Sequence, residues 1–397
     1  MLDASQATRR NDAPGRYDRL LLLALAGLVG IGIVMVTSSS IAVADNNARG
    51  AFYFLKRDLF FLAIGAAAAG IAMRTELKLL ERRAFPLLGL GVLLLTAVFL
   101  PFIGMRINGA HRWLNLVVTS FQPVEAVKLI LVVYVASYLM RHRDSVETSF
   151  LGLIKPLAVA AVLVLLLLAQ PDFGSATLVI SVTIAMVWLG GARPMHLAVM
   201  GLPLMPLLYI AATGESYRVK RLTSFMDPWA HPFTDGFQLT QSLMAIGRGE
   251  WTGVGLGSSV LKLSYLPEAH TDFIFAVLGE ELGLVGTLLV IVLFLTIAYA
   301  GLRVAMEARD LFVRYTAAGI VIWLMAHVVI NIGMVLALLP VIGIPLPLVS
   351  YGGSSLMLFI GAMGLLISFA RTEPHAAHEL RRRKRERRAV TGRGRGA

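Results

Sequence analysis

The stretch Thr271–Gly301, TDFIFAVLGEELGLVGTLLVIVLFLTIAYAG, decides the fold class. It stays apolar over the length an α-helix, rising 1.5 Å per residue, needs to cross roughly 30 Å of hydrocarbon. Its only charges, Asp272, Glu280 and Glu281, fall near its start. Stretches of the same kind recur at about 20–44, 53–73, 85–104, 122–140, 152–170, 175–191, 195–213, 312–339 and 350–370. With the span at 272–300 they make about ten transmembrane helices. The expected fold is all-α, a polytopic membrane protein.

Composition agrees, since 57% of the 397 residues are hydrophobic, 15% are charged and the mean hydropathy is +0.74. A net charge of +12 would suggest nucleic acid as partner of a soluble protein. Here the basic residues sit between spans and at the ends, so they report topology and no nucleic-acid partner is expected. The chain has no cysteine, which excludes a disulfide framework, a thiolate metal site and a cysteine nucleophile.

Outward from the opening stretch, the segment before it is the only long polar interval between spans. It runs from Gly214 to Thr271 and carries Trp229, Phe233, Phe237 and Trp251, too aromatic for a disordered linker. Within it, Leu239, Leu243 and Ile246 at helical spacing predict a short helix lying on the membrane. Gly253, Gly255 and Gly257 have the pattern of a weak anion-binding nest.

Alternate loops carry Arg74, Lys78, Arg82 and Arg83; Arg141, Arg143 and Lys155; Arg193; and Arg303, Arg309 and Arg314. The positive-inside rule puts these loops in the cytoplasm with both tails, 1–19 and 372–397, and puts loop 214–271 outside. Lys56 and Arg57 lean against that assignment. Ala42–Ala44 resembles a cleavage site, but the apolar run before it is too long for a signal sequence and reads as an uncleaved first span. The polybasic run Arg381–Arg388 is expected to touch anionic membrane lipid.

Ionisable residues at membrane depth are functional candidates. Glu125 and Lys128, at i, i+3, read either as a self-neutralising pair or as an ammonium offered to an anionic ligand. Asp172 reads as a helix N-cap or a site carboxylate. Arg218, Lys220 and Arg221 either snorkel to headgroups or clamp a phosphate. Asp272 reads as an N-cap or as a base, with spacing unable to choose. At least one of Glu280 and Glu281 is expected to brace neighbouring helices, and His327 and Asn331 to bond between helices.

Four motifs, Phe121–Lys128 (FQPVEAVK), Gln170–Gly174 (QPDFG), Leu266–Gly283 (LPEAHTDFIFAVLGEELG) and Leu348–Ser355 (LVSYGGSS), together resemble the SEDS family of bacterial cell-wall polymerases. The likeness covers nearly all the spans in order. PEAHTDFIF, Asp227–Trp229 (DPW) and GEELG look like its division branch, with the elongation branch second. Val124 stands where the family often has serine, and Gln170 where glutamate is common.

The resemblance implies a peptidoglycan glycosyltransferase that polymerises lipid II for septal wall synthesis. It implies Asp272 as general base, with Lys128, Arg218, Arg221, Glu125, Asp172, His270 and Ser354 around the substrate. It implies no resident cofactor beyond a divalent cation, Mg or Mn, on the pyrophosphate. The implied partners are a class B penicillin-binding protein transpeptidase and other division proteins of the inner membrane. A lipid II flippase is the alternative, disfavoured because no internal repeat is visible and the charged motifs gather at helix ends.

Overall fold

The computed structural model describes residues 18–46, 50–107, 110–116, 119–202, 206, 209, 213–214, 216–262 and 266–370. Six helices among them are long and apolar enough to cross a membrane: α1 (Arg19–Asn46), α4 (Pro123–Arg141), α6 (Leu151–Ala169), α11 (Ile274–Glu307), α12 (Leu311–Val335) and α13 (Gly353–Ala370). The helices α2 (Tyr53–Arg74) and α3 (Leu77–Ala97) pass the same test together and meet at a bend of 116°. Apolar α7 (Phe173–Leu189) is 17 residues long. The expected ten spans are thus not all reproduced among the described residues. The expected span 195–213 is described as the helix α8 (Pro194–Gly201) and a few residues beyond it.

Burial separates inner from outer helices. The apolar windows of α4 and α13 are 78% and 83% buried inside the protein, against 33% for α1, whose remaining surface suits lipid. The centre is Trp323 of α12, stacked on Phe359 of α13 with ring centroids 4.3 Å apart. Small residues let α2 and α13 touch backbone to backbone. A Cβ added to Gly364 would lie 2.5 Å from Ala69 Cα, and one added to Gly65 3.1 Å from Met357 Cα.

Two features depart from an all-helical reading of the connections. Between α3 and α4 the chain forms an antiparallel sheet, β1 (Gly104–Ile107), β2 (Ala110–Asn115) and β3 (Ser120–Phe121). Arg112 of β2 donates from Nε to the Gln170 carbonyl (3.2 Å) and from Nη2 to the Pro171 carbonyl, which docks the sheet on the α6–α7 turn.

In the long interval, α9 (Ser216–Met226) and α10 (Phe237–Gly249) form. The short helix expected to lie on the membrane is α10, but its buried face packs on α11 and α12. Ser242 Oγ donates to the Val335 carbonyl at 2.7 Å. A Cβ on Gly249 would fall 1.9 Å from the Gly279 carbonyl oxygen, an approach only glycine permits.

The helix α11 is broken at Gly283 (φ 65°, ψ −161°). The chain from 249 to 262 inserts there. Val254 and Gly255 N–H donate to the Glu280 and Glu281 carbonyls at 2.9 and 3.1 Å. Leu284 and Val285 N–H donate to the Glu250 and Trp251 carbonyls at 2.9 and 3.1 Å. Four backbone groups flanking the break, two carbonyls before it and two N–H groups after it, thus find partners in the inserted loop. The expected anion nest is therefore not formed at Gly253–Gly255, whose N–H groups are spent on the loop and on α11.

Candidate active site

The four motifs are four helix starts, at α4, α7, α11 and α13, and alternation of direction brings them to one end of the bundle. Direct bonds join them. The Gln122 N–H before α4 donates to Ser354 Oγ of α13 at 3.0 Å. The Tyr351 N–H before α13 donates to the His270 carbonyl before α11 at 3.0 Å. Next to Gly174 of α7, a Cβ would fall 2.8 Å from the Ile342 carbonyl of the α12–α13 connection.

Asp272 sits in the turn that enters α11, half-buried. The helix begins at Ile274 with Phe273 in the N-cap position, one residue after Asp272. The Asp272 backbone is held from α12. Asn331 Nδ2 donates to the Asp272 carbonyl at 2.8 Å and to the Ile344 carbonyl at 2.7 Å. Its Oδ2 lies 3.3 Å from where a Cβ on Gly343 (φ +70°) would stand. Any side chain at 343 would both strain the backbone and crowd the carboxylate.

Two residues earlier, His270 packs its ring against Phe54 (centroids 4.9 Å) and Tyr351 (5.7 Å). Burial holds its pKa below the usual histidine value, with the nearby Glu268 carboxylate opposing that shift. The ring is thus neutral near pH 7. Glu268 accepts from Thr271 Oγ1 at 2.7 Å, which closes the turn.

Glu125 and Lys128 lie deeper, 4% and 3% exposed. Lys128 Nζ donates to Glu125 Oε1 at 2.8 Å and lies 3.0 Å from Nε2 of His327, 199 residues away. His327 Nδ1 is 2.9 Å from the Trp323 carbonyl, which can only accept; Nδ1 therefore carries the proton and Nε2 accepts from Lys128. The self-neutralising pair forms, with a third member that spacing did not show. Two of the three ammonium donors thus go to partners on α4 and α12.

Asp172 is the N-cap of α7, its Oδ1 accepting from the Ser175 N–H at 3.2 Å, and Arg112 Nη1 stands 3.9 Å from the same oxygen. Arg218 and Arg221 lie on α9, and their side chains fall outside the described residues. Lys220 of that helix stands 3.8 Å from Asp235, both partly exposed. The structure thus joins Glu125 with Lys128 and His270 with the Asp272 turn, and links Ser354 to the start of α4. It does not bring Lys128 to Asp272 by any direct bond among the described residues.

The sequence profile of a family described as cell cycle protein, which unites FtsW, RodA and SpoVE, matches residues 18–375. The chain belongs to this family. It is 48% identical over 366 residues to the probable peptidoglycan glycosyltransferase FtsW of Xanthomonas oryzae pv. oryzae, covering 91% of this chain and 74% of that one. A protein of the same name from Thioalkalivibrio sulfidiphilus is 45% identical, covering 89% of each chain. A chain of a solved peptidoglycan synthase complex that coordinates polymerization and crosslinking matches with TM-score 0.74 and 30% identity, over 89% of this chain and 98% of that chain. The rod shape determining protein RodA of Thermus thermophilus matches with TM-score 0.66 and 28% identity, over 90% and 98%.

In this family member, sequence reasoning missed the network behind the site. Glu280 accepts from Arg248 Nη1 (3.2 Å), from the Val260 N–H (3.3 Å) and from the Ser259 hydroxyl. Glu281 accepts from Lys262 Nζ and from Ser38 Oγ of α1, each at 2.7 Å. Bracing by the glutamates was expected; Lys262, Ser259 and Ser38 were not singled out. The signal available was Gly283 closing GEELG beside a second glycine cluster, the composition of two backbones in contact.

Proposed function

We propose that this protein is a peptidoglycan glycosyltransferase that polymerises lipid II, with Asp272 as general base at the outer face of the inner membrane. Membership of the family and relatives named for that activity support the reaction. The observation that carries the site is the PEAHTDF turn, fixed through its backbone by Asn331 and Tyr351. It presents a half-buried carboxylate where four helix starts meet.

The acceptor 4-hydroxyl gives its proton to the Asp272 carboxylate while its oxygen attacks the anomeric carbon of the donor. The bond from that carbon to the pyrophosphate oxygen breaks, and polyprenyl pyrophosphate leaves with the electron pair. Positive helix starts and the cations of α9, Arg218 and Arg221, receive its charge. Lys128 and Glu125 hold α4 to α12 beneath the site, and Asp172 and Ser354 hold the starts of α7 and α13 in register. Neutral His270 fixes the turn against Phe54 and Tyr351.

Among the described residues no three carboxylates and histidines converge to hold a metal ion. A magnesium or manganese ion carried in with the substrate would offset pyrophosphate charge. The solved relative that coordinates polymerization with crosslinking supports a class B penicillin-binding protein transpeptidase as partner, within the division machinery.

Asp272→Asn tests the mechanism with purified protein and lipid II in detergent. The amide cannot take a proton, so glycan polymer should fall by at least about 100-fold while the protein stays monodisperse. Near-normal polymer from the variant would remove Asp272 from the chemistry. Wild-type polymerisation in micelles, with no second leaflet, also excludes a pure flippase. The orientation is tested separately: a cysteine at exposed Ser258 should react with an impermeant thiol reagent in intact spheroplasts. Labelling only after lysis would invert the topology.

A further inference from the structure

The sheet β1–β3 takes no part in the mechanism above, yet it is moored to the helix starts that gather at the Asp272 end. Its last strand runs into Gln122, whose N–H is held by Ser354 of α13. Thr119, just before that strand, accepts from Arg57 Nη2 of α2 at 3.3 Å. The third mooring, to the start of α7, is Arg112 of β2.

Arg112 spreads its fork over three consecutive residues of the QPDFG motif. Nε donates to the Gln170 carbonyl, Nη2 donates to the Pro171 carbonyl, and Nη1 stands 3.9 Å from Asp172 Oδ1. The Asp172 side chain is 7% exposed and in turn caps α7 through the Ser175 N–H. Gln170 Nε2 donates to the Leu95 carbonyl of α3 at 2.8 Å, which ties the same turn to a further helix. A planar guanidinium can serve two carbonyls and a carboxylate at once. An ammonium on a flexible stem cannot hold that arrangement.

From this turn a continuous series of close contacts leads to Asp272. Gly174, two residues after Asp172, lies so near the α12–α13 connection that a Cβ there would fall 2.8 Å from the Ile342 carbonyl oxygen. Gly343, the next residue of the connection, is the one whose Cβ position stands 3.3 Å from Asp272 Oδ2. Ile344 follows, and its carbonyl accepts from Asn331, the same amide that holds the Asp272 carbonyl. Neither glycine contact leaves room for a side chain, so a shift of the turn at 170–172 is passed on to the carboxylate rather than absorbed.

We infer that Arg112 is a positioning residue for polymerisation. By fixing the turn at 170–172 it fixes residues 342–344, and through them the direction of the Asp272 carboxylate. This rests on Asp272 as the base proposed above. Misplacing a reacting group by about 1 Å costs on the order of 100-fold in rate, so loss of the anchor should appear in turnover more than in substrate binding.

The test uses purified full-length protein and lipid II in detergent, with Arg112→Gln and Arg112→Lys. Both variants should lower kcat by about tenfold or more and leave KM within about twofold of wild type. Amide hydrogen exchange, read by mass spectrometry without substrate, should rise in peptides covering 268–273 and 340–346. Wild-type kcat in Arg112→Lys, a loss confined to KM, or unchanged exchange at 340–346 overturns the inference. A fall in melting temperature with faster exchange throughout α6 and α7 marks a merely structural role and overturns it too. If Arg112→Gln does not purify as folded protein, Arg112→Lys, which keeps the charge and most of the stem, decides. Exchange needs no turnover, so an active Asp272→Asn protein would remove the base and leave the contact route standing. Wild-type turnover by the Arg112 variants would overturn this inference and leave the base in place.

Discussion

Asp272 and the pair Glu280–Glu281 are carboxylates within nine residues of each other at the start of one helix, and the protein treats them in opposite ways. Both glutamates are 0% exposed, and cations, hydroxyls and an N–H converge on them from α1, α10 and the inserted loop. Asp272 stays half-buried in a turn that Asn331 ties to α12 through the Asp272 carbonyl. A buried charge surrounded by fixed partners has its energy already committed to structure. In the role proposed above, the half-buried Asp272 carboxylate exchanges a proton with substrate where the helix starts converge. The type of residue is equal, so the surroundings make the difference.

The largest effect expected from breaking this contrast is on stability. Glu281→Ala would leave Lys262, whose side chain is 8% exposed, buried without its carboxylate. The expected cost is about 3–5 kcal/mol, read as a large drop in melting temperature in detergent. Adding Lys262→Met should recover part of the loss. A Glu281→Ala protein as stable as wild type would mean that the pair is not shielded from water.

Asp272→Asn is the complementary case, with an activity loss of at least about 100-fold and a melting temperature near that of wild type. If that substitution instead destabilises the protein as Glu281→Ala does, the two carboxylates belong to one structural class and the contrast collapses.

The smallest effect concerns pH. His270 ionises in an unfolded chain at 6.5, and burial lowers that value in the fold. The unfolded state therefore takes up the proton first as pH falls. Stability from this residue is unchanged above pH 6.5 and is lost progressively below it. Melting temperature should decline between pH 7 and 5.5, and His270→Phe, which keeps the ring stack with Phe54 and Tyr351, should flatten part of that decline. An identical slope in the variant would assign the pH dependence to other groups.

Runs of apolar residues determine helices and their approximate bounds, because spanning hydrocarbon is a local demand on about 20 consecutive side chains. Local spacing also offered Asp172 as a helix cap and Glu125 with Lys128 as an ion pair, each as one of two readings, and pointed to His327 and Asn331 as bonds between elements. Tertiary structure decided what lies across those bonds. Lys128 meets His327 from 199 positions away, and Glu281 meets Ser38 from 243. The break at Gly283 exists because a loop some thirty residues earlier completes its backbone bonds, so neither segment announces it alone. The sheet at 104–121 and the docking of α10 depend in the same way on surfaces that distant helices supply. Hydropathy is additive along a chain and so can be read there, whereas close packing and charge compensation are properties of pairs. The sequence therefore names Asp272 as a carboxylate at a helix entrance, and only the fold sets it apart from Glu280 and Glu281.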